Sequence, residues 1–156
     1  MKIYPMLAMR NWIIFFSLSA ILGGCKTLTI SSIKKGKLEG RVLLQQFNQQ
    51  GVTSKTKSQA VSRWVYLLEP SSLQDLVNAK DNTCEDIISK KVDSVLSTKN
   101  GNYSFNAVAG KYSIVIKLDK GYFIPYFSGS TGVAHVIIDA QQPLSLDLII
   151  RNEATY

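Results

Sequence analysis

Two cysteines, one histidine and 11 acidic residues are what the 156-residue chain offers for nucleophilic, metal or acid–base chemistry. Cys25 stands directly behind Leu22-Gly23-Gly24. Small residues leave the bond before it accessible, and a thiolate is a nucleophile open to covalent modification. If Cys25 is used this way, Cys84 has no intramolecular partner and no disulfide framework can form. Cys84 then reads as an incidental thiol, with intermolecular pairing as the alternative. His135 is single, whereas zinc needs three or four ligands. No Ser-His-Asp or Cys-His set can be assembled around it, and alternation with Ala134, Val136 and Ile138 turns it toward solvent. Glu85-Asp86, with Asp81 nearby, is the densest acidic group. Thr83 and Cys84 interrupt it, and no glycine stands where a calcium loop turns sharply, so solvated loop acids are the better reading. No glycine-rich phosphate cradle is visible. The remaining candidates are Tyr122, Phe123, Tyr126 and Phe127. They serve either as packing or as an exposed platform for sugars or a protein, framed by the loop from Ser128 to Gly132. This inventory implies no enzyme, no cofactor and no metal.

The elements that position Cys25 form a targeting segment. Lys2 and Arg10 precede an apolar run from Trp12 to Leu22, and residues 1–24 contain no acid. The run matches an export h-region and is too short to span a bilayer, which takes about 20 residues. Leu22-Gly23-Gly24-Cys25 resembles the lipobox of bacterial lipoproteins. The resemblance implies a cleaved signal peptide over 1–24, lipid attachment at Cys25 and a membrane partner through that lipid. Lys26, rather than Asp, follows the cysteine, which in a diderm host implies sorting to the outer membrane. Without residues 1–24 the net charge falls from +7 to about +5, a mild excess suited to anionic headgroups or surface polysaccharide. No basic run points to nucleic acid.

Residues 26–37 read as a polar tether. From Leu38 onward the periodicity is two, the mark of half-buried strands. Leu38, Gly40, Val42 and Leu44 alternate with charged and polar neighbours. Asn48 to Ser62 reads as a polar loop, and Arg63 to Leu68 as a strand stopped by Pro70. Residues 71–91 form an insertion in which Ser72 caps a short helix through Ala79. Val92 to Thr98, Tyr103 to Ala107 and Tyr112 to Leu118 are strands, the first two joined by an Asn100-Gly101 hairpin turn. Tyr122 to Phe127 is an edge strand or an extended crossing. Val133 to Asp139 and Leu144 to Ile150 close the set. About seven short strands of this kind imply an all-β antiparallel sandwich over residues 38–151.

Thr98-Lys-Asn-Gly-Asn-Tyr-Ser-Phe105, then Gly110-Lys-Tyr112, then Gly121-Tyr122, resemble the carboxypeptidase regulatory-like domain, a transthyretin-like sandwich. The long polar loop and the insertion depart from that pattern. The matching residues are turn and core residues, so the resemblance implies a fold and not an activity. The expectation is a lipid-anchored, non-catalytic envelope protein that presents a sandwich to a protein or a glycan or serves a structural role. The alternative is an outer-membrane lipoprotein of a secretion or other envelope machine. The small lipoprotein of type VI secretion has a similar sandwich and size.

Overall fold

The computed structural model describes residues 33–46 and 57–152. The signal segment, Cys25 and the start of the tether lie outside the described residues, as does most of the polar stretch after Asn48. The sandwich lies within the compact unit Ser32–Tyr156.

In chain order the strands are β1 (Lys35–Gln46), β2 (Lys57–Ala60), β3 (Trp64–Leu68), β4 (Ser71–Ser72), β5 (Leu76–Val77), β6 (Thr83–Cys84), β7 (Asp86–Ile87) and β8 (Lys91–Leu96). There follow β9 (Asn102–Val108), β10 (Gly110–Lys117), β11 (Tyr122–Phe123), β12 (Phe127–Ser128), β13 (Gly132–Val133), β14 (His135–Ile138), β15 (Leu144–Ser145) and β16 (Leu148–Asn152). The all-β expectation holds. No helix among the described residues is long and apolar enough to cross a membrane.

Two main sheets form the layers. In the first, β1 is central. It pairs antiparallel with β9 along Lys35–Arg41 and with β2 along Leu43–Gln46. Its other side pairs with β15 and β16, and both are parallel to it. Alternation cannot reveal strand direction, so this parallel return is invisible in the sequence pattern. In the second sheet β10 is flanked by β3 and then β8 on one side, and by β14 and β11 on the other, with β6 beyond β11. Leu38, Val42, Tyr103, Phe105 and Leu148 from the first sheet and Val65, Leu67, Ile114, Ile116 and Ile138 from the second are buried in one core. Each such side chain contributes about 1.5–3 kcal/mol on leaving water. Tyr103, Phe105 and Ala107 fill the buried positions of β9 in strict alternation, as their spacing predicts.

The outer face of the second sheet is also largely covered. Leu68, Ser113 and Val115 are fully buried although they sit opposite the core face. The covering layer comes from the insertion and from the segment after β11. β4 pairs with β13, the Ser71 amide donates to the Ser113 hydroxyl at 2.9 Å, and the Ile124 amide donates to the Asn82 carbonyl at 2.7 Å.

Several expectations are corrected. The helix expected after Ser72 is a single 3-10 turn, Leu73–Asp75. The Asp75 carboxylate accepts from the Ser72 amide at 2.7 Å and its hydroxyl at 2.9 Å. These bonds hold the Asp75 carboxyl below its ordinary pKa, the backbone contact first. Leu76 and Val77 then pair with β7, and Asn78 and Asp81 take positive φ, which ends any helix. Lys35–Lys37, assigned to the tether, already belong to β1, and part of the expected polar loop is β2. His135 is half-buried rather than solvent-facing, because the covering layer reaches it: Nε2 lies 2.9 Å from the Ser71 carbonyl oxygen.

The Asn100-Gly101 turn is real but joins no hairpin. Gly101 donates to the Thr98 carbonyl at 2.8 Å and Thr98 donates to Asn102 at 2.9 Å. Of the two turn residues only Gly101 has positive φ (+78°), so the turn is not the type I′ that Asn-Gly suggests. β8 and β9 then diverge into different sheets. Gly101 also lies against β1: its carbonyl accepts from Val42 at 2.9 Å, and a Cβ here would meet the Val42 oxygen at 2.6 Å. Gly101→Val is expected to destabilise by about 2 kcal/mol or more, read as a lower urea midpoint at unchanged m. A change under about 0.5 kcal/mol would contradict this account.

Candidate ligand-binding groove

A groove of about 700 Å³ is lined by β1, β9, the β15–β16 junction and the end of β8, so that it draws on both sheets. Its construction starts at a glycine. Gly40 pairs with Tyr103 on β9. On the other side of β1, the chain between β15 and β16 comes so close that a Cβ on Gly40 would meet the Leu146 carbonyl oxygen at 1.8 Å. Only glycine leaves room for that approach. The Tyr103 side chain reaches over Gly40 and donates its hydroxyl to the same carbonyl at 2.6 Å. The Leu146 amide donates to the Glu39 carbonyl at 2.8 Å.

One residue further on, a side chain replaces the ladder. The Arg41 amide donates to Asp147 Oδ1 at 2.9 Å, and the Arg41 guanidinium donates to Oδ2 at 3.1 Å. Both carboxylate oxygens are engaged, a forked geometry that fixes orientation. This clasp sits in the groove wall. The register brings Glu39 opposite both Ser104 and Ser145, and Arg41 opposite Asn102. Those outward side chains line the floor with paired donors and acceptors. Thr98, Val95 and Leu96 form the wall on the β8 side. The groove is suited to hydrogen bonding along an extended, polar ligand.

Cys25 lies outside the described residues. Tyr122 and Phe123 do not form a platform: each is 4% exposed, Phe123 opposite Ile116 on the core face and Tyr122 on the other face against the Tyr66 ring. Tyr126 is half-buried and donates its hydroxyl to the His135 carbonyl at 2.9 Å. Of the four aromatics only Phe127, at 41%, is exposed. Cys84 is buried, and burial is the main force raising its pKa, with Asp86 adding to it and Lys117 opposing. Glu85 accepts from the Asn78 amide nitrogen at 2.7 Å. No group of three or more His, Cys, Asp or Glu side chains among the described residues is placed to hold a metal. The polar groove residues escaped sequence reasoning because each stands at an ordinary outward position. Only register brings Glu39, Arg41, Ser104 and Asp147 together. No protein-family model matches the chain, and no curated protein matches it significantly.

Two expected outcomes test this construction. Gly40→Ala should cost about 1–3 kcal/mol in urea unfolding, since backbone rather than a flexible side chain must yield; a neutral Ala would refute the close approach. Tyr103 tests the tie to the Leu146 carbonyl through pH. Burial raises its pKa above the ordinary value, with Tyr126 and Asp147 adding to it. Stability held by the neutral hydroxyl is therefore complete below about pH 10 and lost as pH rises toward the folded-state value. Tyr103→Phe should cost about 1 kcal/mol at neutral pH, and the gap to the parent should narrow at alkaline pH. Parallel stability curves on both sides of pH 10 would count against a buried, hydrogen-bonded hydroxyl.

Proposed function

We propose that the protein is a lipid-anchored, non-catalytic envelope lipoprotein whose sandwich binds a polar ligand, a protein segment or a glycan, in the groove beside β1. The observation that carries the reading is the groove itself, an open surface lined by Glu39, Ser104, Ser145 and the Arg41–Asp147 clasp. The lipobox-like Leu22-Gly23-Gly24-Cys25 supports attachment at Cys25. The turn and core residues support a transthyretin-like sandwich of the carboxypeptidase regulatory-like kind, with Gly101 serving a turn and Tyr103 and Phe105 filling the core. On this reading the mature chain begins at Cys25 and sits in the outer membrane of a diderm host. Several acyl chains make such attachment lasting where a single chain binds marginally.

A second reading, a component of an envelope machine, draws on the insertion. It covers one sheet face with its own packed residues yet leaves Leu73 41% and Ile88 73% exposed, as a docking element would.

Palmitate labelling and crosslinked pull-down from membranes test both readings together. The parent chain is expected to take label and sediment with membranes, and Cys25→Ala to do neither. Label retained in Cys25→Ala would remove the lipoprotein reading. Recovery of one defined envelope complex, lost with the Leu73→Ser/Ile88→Ser pair, would favour the machine component. Recovery of glycan or a partner lost with Arg41→Ala would favour the groove.

A further inference from the structure

The cover over the outer face of the second sheet stops short of β8. There Trp64, Leu96 and Val92 stand 46%, 50% and 44% exposed. Trp64 is opposite Leu96 in the β3–β8 register, so the two form one apolar strip. Val65 lies opposite Ile116, and continuing that register sets Trp64 beside Lys117 on the same face. The turns that follow, with Lys99 and Lys120, leave from the same end of the sheet.

Two ammonium groups border this strip. Lys117 Nζ lies 4.3 Å from the centre of the Tyr122 ring. Lys91 Nζ lies 5.4 Å from that ring and 4.8 Å from the Tyr66 ring. The rings themselves meet edge to face at 5.8 Å. Aromatic faces hold a cation in place without neutralising it. Neither lysine joins the ion pairs formed among the described residues. Asp86 is the acid whose field reaches Lys91, and one of its carboxylate oxygens accepts from the Ile87 amide at 2.8 Å. Lys90, the nearest other cation in sequence, is paired with Glu69 at 3.5 Å.

An exposed tryptophan and leucine bordered by unneutralised amines match the chemistry of a bilayer interface. There indole sits at headgroup level and lysine meets phosphate. We propose that this face docks on an anionic phospholipid surface, with Lys91 and Lys117 taking the headgroup phosphate and Trp64 and Leu96 entering the headgroup layer. A free phosphate would use the two amines and leave the Trp64–Leu96 strip in water. The net charge of about +5 that remains without residues 1–24 draws the chain to the same surface. Fully extended, the stretch from Cys25 to Lys35 reaches at most about 35 Å. The eight residues of β10 span about 26 Å, so an anchored chain can present this end. The proposal rests on the membrane-anchored reading only for the presence of a bilayer.

The test uses a chain beginning at Lys26, which retains the compact unit from Ser32 and has Trp64 as its single tryptophan. It is titrated with phosphatidylcholine vesicles with and without about one-third phosphatidylglycerol. The expected result is a blue shift of Trp64 emission on the anionic vesicles alone. Binding should weaken roughly tenfold in Lys91→Gln/Lys117→Gln, and also in Ser94→Glu, which adds a negative charge to that face and leaves both lysines intact. No blue shift, or equal binding by the parent and both variants, overturns the proposal. Saturation by inorganic phosphate with no vesicle binding assigns the amines to a free anion and overturns it too. The tested chain lacks Cys25, so failure strikes this face and leaves lipid attachment to be decided by palmitate labelling.

Discussion

The structure depends on how closely the end of the chain can approach its first strand. β1 is shared by every other strand of its sheet, and its far side is closed only by the parallel return of residues 144–152. At Gly40 the backbone of Leu146 fills the place a side chain would take, and the Tyr103 hydroxyl ties that carbonyl down from the opposite strand. The parallel ladder is interrupted there, and Asp147 restores it with a carboxylate where a backbone oxygen would stand. A missing atom, a phenol and an acid thus share one task. The same three features put the polar side chains of the groove in register.

The two sandwich faces have opposite fates. The face of the first sheet stays open to solvent and carries alternating polar residues. The outer face of the second sheet is roofed by short strands that supply few ladder bonds and hold position through side chains: Ser113 to the Ser71 amide, Ser128 to the His135 amide, Asn82 to the Ile124 carbonyl. Such a roof needs little regular structure because its own amides find partners one by one, as Leu73 does at Thr131 and Ile124 at Asn82. The roof ends before β8, and that boundary divides buried Tyr122 from exposed Trp64.

Much of the sandwich was legible because burial on one face writes itself as a period of two. β9 is the clearest case, with Tyr103, Phe105 and Ala107 inside and their neighbours outside. The same logic misled wherever a second layer arrived. Ser113 sits at an outward position and is fully buried, and His135 is half-covered for the same reason. The aromatics from Tyr122 to Phe127 are as apolar as a binding platform would be, and only strand pairing decides that two of them are core. Asn100-Gly101 announced a turn correctly, but a turn does not say whether its arms stay together. The groove was illegible because Arg41 and Asp147 are 106 positions apart in sequence.

That separation also governs when the domain can exist. Closing so long a loop is entropically costly and must precede the contacts that repay it. Synthesis from the N-terminus makes β1 early and its partners β15 and β16 last. Until the final residues emerge, β1 lacks one whole side, and the sandwich cannot complete. The topology therefore works as a timer: completion of the first sheet waits for residues 144–152 to reach β1.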